Sequence, residues 1–119
     1  MFLKGKTALI TGSTSGIGAA YASALAAEGA NVMINGFGDS AAIAAQCANL
    51  AAASGARAVY HGADLTVTEE VTAMADACAS EFGGVDILIN NAGIQHVCPV
   101  DEFPVDKWDS IIALNLSAA

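Results

Sequence analysis

The chain has 119 residues, 55% of them hydrophobic, which excludes a solvated disordered tail and suffices for one compact domain. Alanine accounts for 27 residues; it favours helices but buries little area per side chain, so the core of larger apolar groups is modest. Four Lys and Arg against 12 Asp and Glu leave a formal net charge of −8, a field that repels nucleic acid and anionic membrane surfaces.

The apolar run Thr7 to Thr11 reads as a strand ending at Gly12. Gly16 to Glu28 follows as a helix with Ile17, Tyr21 and Leu25 at helical spacing and Gly29 as its stop. Asn31 to Asn35 reads as a second strand. Asp39 is placed to cap an alanine-rich helix that carries Ile43, Cys47 and Leu50 on one face and ends at Ser54-Gly55. Arg57 to His61 makes a third strand. Thr66-Val67-Thr68-Glu69 fits a capping box opening a helix through about Phe82, with Val71, Met74, Cys78 and Phe82 as its apolar stripe and Gly83-Gly84 as its stop. Asp86 to Asn90 is a fourth strand, apolar at its centre as a parallel strand covered on both faces should be. After a loop through Cys98-Pro99, Pro104 suits the first turn of a last helix, on which Trp108, Ile111, Ile112 and Asn115 fall on one stripe.

Strand and helix alternate throughout, which means a parallel α/β architecture, a doubly wound sheet with its first four strands in the order 3-2-1-4. Such a sheet continues beside its fourth strand, so the expectation is the amino-terminal part of a Rossmann domain, truncated within the helix carrying Asn115, with the fourth strand left as an apolar edge. Cys47, Cys78 and Cys98 are odd in number and share no metal-finger spacing, so free thiols and no metal site are expected. No apolar run reaches membrane-spanning length and Met1 to Lys6 is too short for a secretory signal, which makes a cytoplasmic location the expectation.

Chemistry concentrates in two motifs. Thr11-Gly12-Ser13-Thr14-Ser15-Gly16-Ile17-Gly18 lies between the first strand and the first helix. Gly12 can leave the strand in a conformation closed to other residues, Gly16 lets the backbone approach a pyrophosphate, and Gly18 permits close packing. The hydroxyls of Ser13, Thr14 and Ser15 can donate to phosphate oxygens at the positive end of the helix, and no lysine is present to make this a Walker loop. Taken alone, the motif is also compatible with a glycine-rich turn without a ligand. Asn90-Asn91-Ala92-Gly93 ends the fourth strand, at the sheet edge where ligands bind.

Together, in this order, the two motifs resemble the signatures of the short-chain dehydrogenase/reductase family, T-G-x-x-x-G-I-G and N-N-A-G, and the resemblance extends over all 119 residues. It implies a nicotinamide dinucleotide whose pyrophosphate lies on Gly12 to Gly18, with Asn91, Ala92 and Gly93 along the nicotinamide-side ribose and Asp64 and Leu65 at the adenine. It also implies that Asn115 is a catalytic asparagine, bending its helix and holding a water in a proton relay. The family's catalytic Ser and Tyr-x-x-x-Lys are not in this sequence, where the tyrosines are Tyr21 and Tyr60, so the chain as given is expected to be inactive alone.

Asn35-Gly36-Phe37-Gly38 follows the second strand, with no basic residue to meet a 2′-phosphate and with Phe37 able to occupy its space, which favours NAD. Asp39 has the spacing of an acidic ribose partner, but helix capping suits it better. Within the family, this segment, Gly93-Ile94-Gln95-His96-Val97 and Phe103-Pro104-Val105-Asp106-Lys107-Trp108 resemble the bacterial D-3-hydroxybutyrate dehydrogenases. That likeness implies a small hydroxy or oxo acid substrate whose carboxylate is held by Gln95, and a homotetrameric full-length protein. His96 and Cys98 are read as loop and core residues and Trp108 as a packing anchor. Two rival readings stand beside NAD-dependent hydroxybutyrate oxidation: an NADPH-dependent 3-oxoacyl or acetoacetyl thioester reductase, and a noncatalytic dinucleotide-binding module.

Overall fold

A computed structural model describes residues 1–95 and 97–119; His96 lies outside the described residues. Four parallel strands, β1 (Thr7–Ile10), β2 (Asn31–Asn35), β3 (Ala58–His61) and β4 (Ile87–Ile89), form one sheet in the order β3-β2-β1-β4. The expected order and the alternation with helices α1 (Gly16–Ala27), α2 (Ser40–Ser54) and α3 (Thr68–Phe82) are present. Strand pleating explains the layers. Ala8, Ile10, Val32 and Ile34 point to one face and pack with Ala22 and Ala26 of α1 and Ile43 and Leu50 of α2. Leu9 and Met33 point to the other, where Met74 and Cys78 of α3 cover them with Ala63 and Leu65. The central strands β1 and β2 are therefore apolar through their middles because both faces are covered.

Local signals place most boundaries. The Asp39 carboxylate caps α2 by accepting from the Ala42 amide at 2.9 Å. Gly55 and Gly83 close α2 and α3 in the left-handed conformation, at φ 76° and 89°. All three cysteines are free, and burial pushes the thiols of Cys47 and Cys78 up, as suits packed, unreactive groups.

Three expectations are corrected. The face of α1 against the sheet is Gly18, Ala22 and Ala26; Ile17 is 71% exposed and Tyr21 46% exposed, and only Leu25 of the expected stripe packs inward. Small side chains win because they let the helix lie close to the sheet, whereas Ile17 or Tyr21 would hold it off. Thr66 makes no capping box. Its hydroxyl and amide instead donate to Asp64 Oδ1, at 2.6 and 3.0 Å, and Glu70 Oε1 accepts from the Asp64 amide at 3.1 Å. The last helix, α4, is α-helical over Val105–Ile111 and π-helical over Ile112–Ser117, and it meets the α3 side of the core through Leu114 and Ala118. Trp108, the expected anchor, is 58% exposed and touches the Phe103 ring edge-on at 6.1 Å. On β4, half-buried at Ile87 and Ile89, the central Leu88 is 53% exposed.

Exchanging the roles of the two α1 faces checks this assignment. In urea unfolding of the protein, Ala22→Leu is expected to cost about 1–3 kcal/mol by overpacking, and Ile17→Ser to stay within about 0.5 kcal/mol of the parent.

Candidate functional site

The carboxyl ends of the strands enclose a cleft of about 340 Å³, bounded by Gly12, Thr14 and Ser15, by Asn35 to Phe37, by Ala63 to Thr66, and by Ala92 to Ile94 with Leu114. Its position follows from topology: β1 leads to α1 on one face and β4 leads towards α4 on the other, so the chain parts at this edge and leaves a crevice. Among the described residues none of the lining side chains is basic. Arg57 stands at the opposite end of β3, ion-paired with Glu81 and lying over the Phe82 ring at 5.2 Å.

The glycine-rich loop is held from behind. Asn35, 1% exposed, accepts from the Gly12 amide at 3.3 Å through Oδ1 and donates from Nδ2 to the carbonyls of His61 and Ala63, both at 3.1 Å. Its backbone oxygen accepts from the Ser13 amide at 2.6 Å. Asn91 Nδ2 donates to the carbonyls of Thr11 at 3.1 Å and Gly12 at 3.0 Å, while the Thr11 hydroxyl accepts from the amides of Asn91 and Ala92, both at 3.0 Å. Gln46 reaches over from α2 and donates to the Ser13 carbonyl at 2.8 Å. Glycine is required where these parts meet. A Cβ on Gly18 would lie 2.4 Å from the Gly12 oxygen and 2.5 Å from Asn91 Nδ2; Gly12, at φ 60°, would place one 3.0 Å from the Ala92 backbone.

With these carbonyls taken and the Gly12 and Ser13 amides held by Asn35, the unpaired amides are those further along the loop. The N–H groups of Gly16, Ile17 and Gly18, in the first turn of α1, have no acceptor among the described residues, and open space lies over Gly16. Unpaired amides at a helix start attract an anion by their own partial charges, so the donor set and the open approach fit a pyrophosphate without a cation. The fit extends along the cleft, where Phe37 is exposed and Asp64 and Leu65 form the facing wall.

The structure gathers Gly12, Thr14, Phe37, Asp64, Leu65, Ala92 and Gly93 into this one cleft, with Gly16, Ile17 and Gly18 at its helix end. It corrects two roles. The Ser13 hydroxyl is fully buried, donates to the Ile10 carbonyl at 2.7 Å and accepts from the Asn35 amide at 3.0 Å, so its single proton is spent inside the loop. The Asn91 amide faces the glycine loop rather than the cleft. The Thr14 hydroxyl donates to the Phe37 carbonyl at 2.9 Å, and the Tyr60 hydroxyl donates to that of Gly36, so the turn after β2 is held on both sides. Gln95 is exposed in the loop after β4 and is not part of the cleft wall. Asn115, exposed and not buried as its stripe suggested, pairs with the Ile94 backbone in both directions, accepting from the amide at 2.9 Å and donating to the carbonyl at 2.8 Å. It does so from within the π-helical stretch, a distortion frequent at functional sites. Sequence reading missed Asn35 and Gln46 as loop supports; a polar residue closing an apolar strand was the available signal for the first.

A family model described as short chain dehydrogenase matches residues 6–119. A D-beta-hydroxybutyrate dehydrogenase of Cupriavidus necator is 56% identical over 117 residues, and one of Rhizobium meliloti 49% identical over 114. These alignments cover 98% and 96% of this chain, and 45% and 44% of the relatives, so the chain spans less than half their length. A short chain dehydrogenase from Burkholderia cenocepacia, solved in complex with NADP, superposes with a TM-score of 0.91 at 40% identity, covering 98% of this chain and 47% of the other.

Two measurements probe the geometry. Gly18→Ala is expected to abolish binding of ADP-ribose to the full-length protein, read by calorimetry, because the methyl group would enter the Gly12 and Asn91 contact. The hydrogen bonds from Thr66 hold the Asp64 carboxyl below the usual carboxylate range, the side-chain bond contributing most. They therefore favour the folded turn above the unfolded carboxylate pKa, and that contribution is lost as pH falls through the lowered value. Carboxyl NMR titration should show a depressed midpoint for Asp64 that moves back up in Thr66→Ala.

Proposed function

The chain belongs to the short chain dehydrogenase family, and from that premise we propose that it is the amino-terminal part of an NAD-dependent oxidoreductase interconverting (R)-3-hydroxybutyrate and acetoacetate. The substrate assignment is carried by the 56% identity to a D-beta-hydroxybutyrate dehydrogenase across nearly the whole chain. The preference for NAD is supported by the lining of the cleft. The solved neighbour holds NADP, but the turn after β2 offers no cation here, and its exposed Phe37 would compete for the space a 2′-phosphate needs.

In this reading the bound nicotinamide supplies the hydride-accepting carbon. The chain's own groups supply position. The free amides from Thr14 to Gly18 hold the pyrophosphate, Gly12 and Gly16 allow it to approach, and Asn91 and Ser13 keep the loop rigid. Phe37 packs against the adenosine, Asp64 and Leu65 border the adenine, and Ala92 and Gly93 face the second ribose. Gln95 binds the substrate carboxylate, and Asn115 holds a water in the proton relay to a lysine beyond these residues. The base that removes the carbinol proton is a tyrosine beyond Ala119. Among the described residues no helix is long and apolar enough to cross a membrane; a cytoplasmic homotetramer is part of the same proposal.

The test is a steady-state assay of the full-length protein. Oxidation of (R)-3-hydroxybutyrate with NAD, at least about tenfold more efficient than with NADP (roughly 1.4 kcal/mol), is the expected result. Asn115→Ala should lower kcat by about 10²-fold, the scale of a lost proton-transfer contribution. Reduction of an acetoacetyl thioester with NADPH in preference to the free acid would overturn the assignment.

A further inference from the structure

The glycine loop contains three consecutive peptide groups that are not supported equally. In the Thr11–Gly12 peptide, Asn91 takes the carbonyl and Asn35 Oδ1 takes the amide. In the Gly12–Ser13 peptide, Asn91 again takes the carbonyl and the Asn35 backbone takes the amide. The Ser13–Thr14 peptide is held at its carbonyl end alone, by Gln46 Nε2 at 2.8 Å, and its Thr14 amide has no acceptor among the described residues. Every peptide bond described is trans, so C=O and N–H point in opposite directions and fixing one aims the other. Gln46 draws the Ser13 carbonyl towards α2, which turns the Thr14 amide away from α2, and Thr14 itself lines the cleft.

Among the described residues Gln46 makes the only hydrogen bond to the atoms of this peptide group, beside the Thr14 hydroxyl bond to the Phe37 carbonyl. Between α1 and α2 lies a groove of about 560 Å³, floored by small side chains such as Ala19, Ser23, Ala42 and Ala45, and Gln46 is the side chain that crosses it to the loop. This half-buried amide on an alanine-rich helix has no other hydrogen-bond partner among the described residues. We propose that Gln46 is a positioning residue for dinucleotide binding: by holding the Ser13 carbonyl it presents the Thr14 amide to the pyrophosphate, and so sets affinity for that part of the cofactor without touching it. This rests on the dinucleotide reading of the cleft.

The experiment compares full-length parent and Gln46→Met, which keeps length and flexibility but cannot donate, using NAD, ADP-ribose and adenosine as ligands. The expected result is a rise of about three- to tenfold in KM for NAD and in Kd for ADP-ribose, the scale of one lost hydrogen bond. Adenosine affinity and kcat should stay unchanged, while the unfolding midpoint falls modestly because the buried Ser13 carbonyl loses its donor. Equal weakening of adenosine and ADP-ribose, or a fall in kcat that matches the loss of binding, would assign Gln46 a general structural role and overturn the proposal. Unchanged ADP-ribose affinity in the variant would overturn it while leaving the cofactor reading intact. Failure of the parent to bind ADP-ribose would remove both.

Discussion

The carboxyl edge of the sheet depends on one buried amide. Asn35 joins the start of the glycine loop, the end of β2 and the segment after β3, through Gly12, His61 and Ala63, and its backbone exchanges hydrogen bonds with Ser13. A side chain of another shape would leave two carbonyls and one amide unpaired in a place that water barely reaches, each at a cost of about 1–3 kcal/mol. Replacing it by Asp would set a carboxylate against two carbonyl oxygens. The residue is thus specified by hydrogen-bond arithmetic rather than by packing, and the cleft inherits its shape from that arithmetic.

The same economy reconciles the charge of the chain with the anion that the proposed function assigns to the cleft. With a formal net charge of −8 and its guanidinium engaged at the far end of β3, the protein brings no side-chain cation to the cleft among the described residues. Carbonyl oxygens of the loop are directed backwards onto Asn91 and Gln46, and what remains forward is a set of unpaired amides at the start of α1. Local dipoles act at contact distance, whereas the field of scattered surface carboxylates is screened within about 8–10 Å at physiological salt. Orientation of neutral groups therefore outweighs the sign of the whole molecule.

The layers and strand order were legible because β1 and β2 are buried on both faces and the helices carry stops at Gly29, Gly55 and Gly83. The cleft was legible through its glycines, whose need is steric. What escaped reading depends on distance between elements. The inward face of α1 is decided by how near the sheet lies, so the larger Ile17 and Tyr21 lost to Gly18 and Ala22. The Asp64, Thr66 and Glu70 turn competes with a capping box for the same polar groups, and only the direction of the chain after β3 chooses between them. Gln46 is far in sequence from the loop it holds, and nothing in its own helix announces the contact.

The π-helical stretch of α4 also changes how that helix can be read. A wide turn closed by bonds such as Ala118 N–H to Ala113 O takes up an extra residue, which shifts the angular phase of everything after it by about 100° relative to a regular helix. The stripe from Trp108 to Asn115 is exposed at both ends, and the inward contacts are made by Leu114 and Ala118 instead. The two halves of α4 are geared separately: the turn around Leu114 can mesh with the core while Trp108 keeps its own heading. Deleting Ala113 would bring the halves into step, and would carry the Asn115 amide off the Ile94 backbone without altering any other side chain.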